Sequence, residues 1–135
     1  MNQRPLSPHL GVYKFMYTMS LSIMHRITGV AASVGFLAFV WWLMALASGA
    51  GAYQAAVRVL TSPLAKLLLI GFTFSFVYHF CNGIRHLVWD TGHGLERAQA
   101  RRSAAVVIIA AVLITGLIVW LGCAALATST TGVAP

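Results

Sequence analysis

Hydrophobic residues dominate three long stretches of the chain, and polar residues separate them. Residues 27–47 and 104–127 contain no charged side chain, whereas residues 64–84 are interrupted by Lys66 near one end and by His79 inside. Each stretch reaches the roughly 20 residues that a helix needs to cross about 30 Å of hydrocarbon. The pattern therefore predicts an all-α membrane protein with three transmembrane helices, at residues 27–48, 63–89 and 104–127.

A weaker apolar pattern precedes the first span. Within residues 10–26 the apolar side chains recur at helical spacing, at Val12, Phe15, Met16, Met19 and Ile23. This spacing is typical of an N-terminal interfacial helical segment that lies on or enters the membrane surface. It is equally consistent with an extension of the first helix by a few turns, so both interpretations stay open. The whole chain, residues 1–135, is predicted to form a single membrane-anchor domain.

Composition and charge agree with a membrane location. Of the 135 residues, 59% are hydrophobic and 8% are charged, whereas about a quarter of the residues in a soluble domain are charged. The net charge of +7 lies mostly ahead of the first span and around the connection between the second and third spans. The positive-inside rule therefore places the N-terminus and residues 90–103 in the cytoplasm, and the C-terminus in the periplasm.

The same distribution of charge bears on function and location. Nucleic-acid binding needs a basic patch on a water-exposed domain, and the sequence predicts no such domain. The opening residues, MNQRPLSPHLGVYK, have neither a secretory signal pattern nor the composition of a transit peptide. We therefore expect a multi-pass protein of a bacterial cytoplasmic (inner) membrane that contacts lipid and no nucleic acid.

Two histidines stand near the inner end of the second span. His79, Gly83 and His86 recur at i, i+4 and i+7, so they share one helix face. At about 1.5 Å per residue, His79 lies roughly 16 Å and His86 roughly 6 Å from Asp90 at the inner end. An imidazole at this depth is rare and usually functional, as a haem or metal ligand, a proton relay or a hydrogen-bonding partner of another helix. Gly83 favours haem, because a position without a side chain leaves room for a flat macrocycle.

The distribution of histidines predicts that such a haem would be shared between two chains. A six-coordinate haem needs a second histidine or methionine at the depth of His79, and residues 104–127 contain neither. His25 is predicted to lie at the inner surface, about 10 Å or more from the level of His79. The second ligand is therefore expected from another chain, and this chain would form half of a two-subunit haem-binding helix bundle.

Basic and imidazole side chains gather nearer the inner surface. The offset of about 10 Å between His79 and His86 resembles the reach from a haem iron to its propionates, which would point toward this surface. The side chains predicted near that level are His25, Arg26, Arg85 and His86. Arginine suits carboxylate recognition, but snorkelling of a long side chain at the interface is an alternative for Arg26 and Arg85.

Ser22 and Arg26 form a polar pair one helical turn apart, at the start of an apolar span. A hydroxyl group and a guanidinium group in this position suit a lipid-soluble ligand with hydrogen-bonding oxygens, such as a quinone. The same pair could equally bind lipid headgroups or a partner helix. Gly29 and Ser33, also one turn apart, predict a small-residue face for close helix contact.

Two of these segments together resemble a known family. SIMHRITG (residues 22–29) ahead of the first span and HFCNGIRHLVWD (residues 79–90) at the end of the second resemble the cytochrome b556 subunits of succinate dehydrogenase (complex II), the larger of its two membrane-anchor subunits. The resemblance extends from Arg4 through the third span. Neither segment alone is specific, but their pairing is.

The resemblance implies roles for individual residues. It implies that His79 is an axial ligand of haem b and that the small anchor subunit supplies the other axial histidine. It implies that Ser22 and Arg26 line a ubiquinone site beside the iron–sulfur subunit, and that Asp90 takes part in proton uptake. It also places three side chains near the haem propionates: His25, Arg26 and His86.

The resemblance further implies membership of a succinate:quinone oxidoreductase. Succinate would reduce FAD in a flavoprotein subunit, and Fe–S clusters would pass the electrons to quinone. Because this chain has no flavin or Fe–S motif, it would not be catalytic alone. Three alternatives stay open: an anchor of a quinol:fumarate reductase, a purely structural anchor, and a transporter that uses His79 and His86 as a relay. The last needs a polar path to the outer face, which the first and third spans do not supply.

Overall fold

The described residues are almost entirely α-helical, apart from short connections. A computed structural model describes the backbone of residues 17–131 and the side chains of residues 19–128. Three helices are long and apolar enough to cross a membrane, so the prediction of an all-α protein with three transmembrane helices is confirmed. The four helices are α1 (Tyr17–Ala47), α2 (Ala50–Leu60), α3 (Pro63–Asp90) and α4 (Arg97–Thr131).

Helix α1 begins well before the hydrophobic stretch that defines the first span. It runs from Tyr17 through the span without a break at residue 26. Residues 17–26, which the sequence left open as an interfacial segment or a helix extension, thus belong to α1, and residues 10–16 lie outside the described residues.

The connection between the first and second spans contains a short helix that the sequence analysis did not predict. Helix α2 is rich in alanine, which has the highest helix propensity, and Ala56 is only 1% exposed. Helix α3 then begins as the sequence suggests, with Pro63 in its first turn and the Ser62 hydroxyl accepting a hydrogen bond from the Ala65 amide at 3.3 Å. Proline suits this position because its missing N–H would have no partner there.

Helix α3 occupies the centre of the bundle. It packs against α1 on one side and α4 on the other, whereas α1 and α4 touch each other little. Helices α1 and α3 are antiparallel, because Leu21 lies beside Tyr78 while Gly35, farther along α1, lies beside Phe72. The core of this packing consists of Leu21, Val77, Tyr78, Ala104, Val107 and Ala111.

Most large apolar side chains outside this core are exposed. In water such a surface would be unstable, but lipid tails are as apolar as a leucine side chain. The exposed faces therefore suit contact with lipid or with another membrane subunit.

The inner connection folds back against the end of α3. Gly92 and Gly94 have φ angles of 81° and 78°, in the left-handed region that costs other residues roughly 1–2 kcal/mol. This path brings the Gly94 carbonyl to the Trp89 indole, whose Nε1 donates a hydrogen bond to it at 3.1 Å. The loop thereby holds Trp89 at the inner end of the bundle.

Candidate functional site

Three imidazoles from two helices lie in a row between α1 and α3. The ring of His25 lies in the middle, with its centroid 4.0 Å from that of His79 and 5.3 Å from that of His86. The His86 ring also meets the Trp89 indole edge-on at 5.2 Å. We call His25, His79 and His86 the imidazole row.

The depth that the sequence analysis assigned to His25 is wrong. His25 was expected about 10 Å or more from the level of His79, yet the two rings are stacked with their centroids 4.0 Å apart. The expectation failed because the inner end of α1 was placed near residue 27, whereas the helix already includes residues 17–26. Because α1 and α3 are antiparallel, residues at similar distances from their inner ends meet.

The stacked geometry does not make His25 and His79 a pair of opposing metal ligands. Their ring planes are 7° from parallel and face each other, whereas two imidazoles on opposite sides of a haem must each point a nitrogen at the iron between them. Among the residues that the structure describes, no group of three or more His, Cys, Asp or Glu side chains is arranged to hold a metal ion. His25 therefore packs against the face of the His79 ring instead of opposing it across a metal.

A hydrogen bond fixes the protonation of the His79 ring. Its Nδ1 lies 3.1 Å from the backbone carbonyl oxygen of His25. Because a carbonyl oxygen only accepts, the contact requires a proton on Nδ1, and in the neutral ring Nε2 then carries the lone pair. Metal-binding histidines are oriented by this kind of bond from the nitrogen that does not bind the metal.

Gly29 of α1 lies against the same ring. A Cβ atom at Gly29 would be 2.9 Å from His79 Cε1 and 3.2 Å from Nδ1. The predicted small-residue face at Gly29 is thus occupied by an imidazole, and the Ser33 hydroxyl donates at 2.9 Å to the Gly29 carbonyl within its own helix. The sequence analysis identified Gly29 as a contact position but not the residue it meets.

Other predicted site residues surround the imidazole row without joining it. Ser22 and Arg26 are exposed on α1, one turn apart, and Asp90 is exposed as the last residue of α3. At Gly83, a Cβ atom would meet nothing within 4 Å among the described residues. The structure therefore brings three of the predicted residues together and leaves Ser22, Arg26 and Asp90 on open surfaces nearby.

Arg85 follows neither of the two interpretations given to it. Its side chain is only 7% exposed and points to α4, where it donates at 2.9 Å to the Ser103 hydroxyl and at 3.0 Å to the Ala100 carbonyl. It also donates at 3.3 Å to the Asn82 side chain and lies 3.9 Å from the centroid of the Trp89 ring. Arg85 thus joins α3 to α4. The sequence signal was the polar pair Asn82 and Arg85, which share a helix face inside an apolar span.

Comparison with known proteins identifies the family of the chain. Residues 1–119 match the family of succinate dehydrogenase/fumarate reductase transmembrane subunits. The chain belongs to this family. The resemblance predicted from the residue motifs is confirmed.

Relatives of this transmembrane-subunit family match over most of their length. The succinate dehydrogenase cytochrome b556 subunit of Paracoccus denitrificans is 41% identical over 114 residues, 84% of this chain and 88% of the relative. That of Rickettsia prowazekii is 38% identical over 117 residues, 87% of this chain and 91% of the relative. The human mitochondrial succinate dehydrogenase cytochrome b560 subunit is 39% identical over 114 residues, 83% of this chain and 68% of the relative.

Proposed function

We propose that this chain is the large cytochrome b anchor subunit of a succinate:quinone oxidoreductase and that it binds haem b through Nε2 of His79. The observation that carries the proposal is the hydrogen bond from His79 Nδ1 to the His25 carbonyl, at 3.1 Å. It orients the ring and leaves Nε2 as the basic nitrogen that an iron would take. Family membership and the names of the relatives support the same assignment.

The residues around His79 fit one side of a haem. The open space at Gly83 lies one helical turn from His79, and His25 Nδ1 is buried without a hydrogen-bond partner among the described residues. His25, His86 and Arg26 are suited to the propionates, because they offer imidazole and guanidinium donors on the inner side. A second axial histidine would come from the small anchor subunit. When bound, the haem supplies a centre that accepts and releases single electrons.

The exposed pair on α1 suits a quinone. In this proposal the Ser22 hydroxyl donates a hydrogen bond to a ubiquinone carbonyl, and the Arg26 guanidinium stabilises negative charge that develops on the quinone oxygens. Reduction to quinol takes two electrons, delivered by the Fe–S clusters of the iron–sulfur subunit, and two protons. Asp90, exposed at the inner end of α3, would pass protons from the aqueous side.

The proposal includes a location and partners. The flavoprotein subunit, with its FAD, and the iron–sulfur subunit would sit on the cytoplasmic side of a bacterial inner membrane. The N-terminus of this chain would face them and its C-terminus would face the periplasm, because the basic residues concentrate on that inner side. The bacterial relatives support this membrane.

The experiment that tests the proposal is a reduced-minus-oxidised optical spectrum of the complex purified with its natural partners. We expect a b-type spectrum that disappears in His79→Ala. The matched control is His93→Ala, because His93 is exposed in the loop between α3 and α4 and its ring is hydrogen-bonded to Thr91 of the same loop. A full haem spectrum in His79→Ala would refute the ligand assignment, and absence of haem from the native complex would favour a purely structural anchor.

A quinol:fumarate reductase anchor is the second candidate, because the matching family includes fumarate reductase subunits. The residues proposed here would serve either direction of reaction. Comparing the rates of succinate oxidation with ubiquinone and of fumarate reduction with a low-potential quinol distinguishes the two.

A further inference from the structure

We propose that Gly29 is a positioning residue that seats the His79 ring and thereby sets the orientation of the iron ligand. The inference rests on the proposed haem function. It concerns a residue of α1 that touches neither the iron nor the quinone in that proposal.

The steric evidence is local and directional. A Cβ atom at Gly29 would lie 2.9 Å from His79 Cε1, 3.2 Å from Nδ1 and 3.8 Å from Nε2. The first of these distances is shorter than carbon atoms tolerate without a contact being rearranged. Because Cε1 and Nδ1 are the nearest ring atoms and Nε2 is farther away, the α1 backbone supports the Cε1–Nδ1 edge of the ring.

The His79 ring has little freedom to yield. Its face is stacked on the His25 ring at 4.0 Å, and its Nδ1 is hydrogen-bonded to the His25 carbonyl at 3.1 Å. Both constraints come from one turn of α1, directly before Gly29. A methyl group at Gly29 would therefore have to push α1 away or tilt the ring, and either movement weakens the hydrogen bond that fixes the tautomer.

A second glycine of α1 provides an internal comparison. A Cβ atom at Gly35 would overlap the ring of Phe72. A ring of α3 therefore packs against a glycine of α1 at two levels, His79 at Gly29 and Phe72 at Gly35. Only the inner ring carries nitrogens. An alanine at Gly35 disturbs the packing of α1 on α3 without touching His79, and an alanine at Gly116 of α4 meets nothing within 4 Å.

The test compares Gly29→Ala, Gly35→Ala and Gly116→Ala in the complete complex, beside His79→Ala. The measurements are haem per flavin after detergent washing and the EPR spectrum of the oxidised haem, whose g values depend on the orientation of the axial imidazole planes. We expect Gly29→Ala to retain haem roughly tenfold less well and to shift the g values, because losing an outer contact of a metal ligand typically weakens metal binding by 10–100-fold. Gly35→Ala and Gly116→Ala should keep the native g values.

Each outcome decides the question. Native g values and haem content in Gly29→Ala, with haem lost in His79→Ala, would overturn the inference while leaving the proposed function intact. Equal effects of Gly29→Ala and Gly35→Ala would assign Gly29 to general helix packing and would also overturn it. Full haem in His79→Ala would refute the ligand assignment itself, and the inference with it.

If the Gly29→Ala complex does not assemble, a double variant tests the inference. Removing the ring removes the collision, so Gly29→Ala combined with His79→Ala should assemble as well as His79→Ala alone. Continued failure of the double variant would show that Gly29 acts on something other than His79.

Discussion

Helices α1 and α3 meet at two levels that use the same packing device with different side chains. At the inner level Gly29 admits the His79 imidazole, and at the outer level Gly35 admits the Phe72 ring. The outer contact continues with Phe36, whose ring lies edge-on to Phe72 at 5.7 Å and to Phe76 at 5.5 Å. Both levels are therefore ring-into-glycine contacts.

The difference lies in what the rings carry. The phenyl rings contribute dispersion and edge-to-face attraction, which need no hydrogen-bonding partner. The imidazole row adds a hydrogen bond and a buried nitrogen without a partner among the described residues, which is costly in hydrocarbon unless another group satisfies it. The outer level thus suffices for packing, and the extra cost at the inner level is what indicates a function there.

The largest loss of stability is expected when the contact between Arg85 of α3 and helix α4 is removed. Replacing Arg85 with leucine removes the donors to Ser103, Asn82 and the Ala100 carbonyl. Buried hydrogen bonds from a charged group are worth roughly 1.5–3 kcal/mol each, so we expect the loss of all three to cost at least about 4.5 kcal/mol of stability, measured as a lower thermal midpoint of the purified complex. Arg101→Leu, at an exposed position of α4, is the control. Equal midpoints for the two variants would show that the buried contacts of Arg85 contribute little.

The next effect concerns the quinone. Ser22→Ala should reduce quinone reductase activity about tenfold, the equivalent of one hydrogen bond of roughly 1.4 kcal/mol, and should spare succinate oxidation with an artificial acceptor. Ser33→Ala, another exposed serine of α1 whose hydroxyl bonds its own helix, should change neither activity. A parallel loss of both activities in Ser22→Ala would place the defect in assembly of the complex instead of in quinone binding.

Hydropathy and helical periodicity account for much of the architecture. The apolar stretches with few or no charged residues located the three spans, the second span was predicted to begin at residue 63, where α3 begins, and the spacing of His79, Gly83 and His86 placed them on one face. These features depend on the chain's own composition and repeat, so the sequence contains them directly.

Hydropathy and periodicity do not predict which residues of two helices lie at the same level. His25 was misplaced because its depth was measured from the start of the apolar stretch, whereas α1 continues through residues 17–26. The weaker apolar pattern there left a helix extension open without deciding it, and packing against α3 stabilises these turns. Helix α2 was missed for a related reason, since its eleven residues are too short to be stable alone and depend on packing against α1.

The contacts of Arg85 illustrate the same limit on the other side of α3. Its shared face with Tyr78, Asn82 and Trp89 follows from their spacing. That this face meets Ser103 and Ala100 of α4 depends on the path of the inner loop, which the sequence does not give.

A milder substitution at Trp89 tests how the loop between α3 and α4 is held. Trp89→Phe keeps an aromatic ring beside Arg85 and His86 but removes the hydrogen bond from Nε1 to the Gly94 carbonyl. We expect a loss of about 1 kcal/mol, seen as faster amide hydrogen exchange in residues 91–96, with the haem spectrum retained. Trp120→Phe, at an exposed position of α4, should leave exchange in this loop unchanged. Unchanged exchange in Trp89→Phe would mean that the loop is held by other contacts.

The smallest loss of stability is expected at the outer level, where Phe36 packs against α3. This variant tests most directly whether the inner and outer levels act independently. Phe36→Leu removes two edge-to-face contacts with α3 while keeping an apolar side chain, so we expect a loss of about 0.5 kcal/mol. The haem content and the EPR g values should stay native, because no ring of the imidazole row touches Phe36. The control is Phe80→Leu, since Phe80 is exposed and its described ring contact lies within α3. A shift of the g values in Phe36→Leu alone would show that the outer contact positions His79 through α1, and the two levels would then act as one unit.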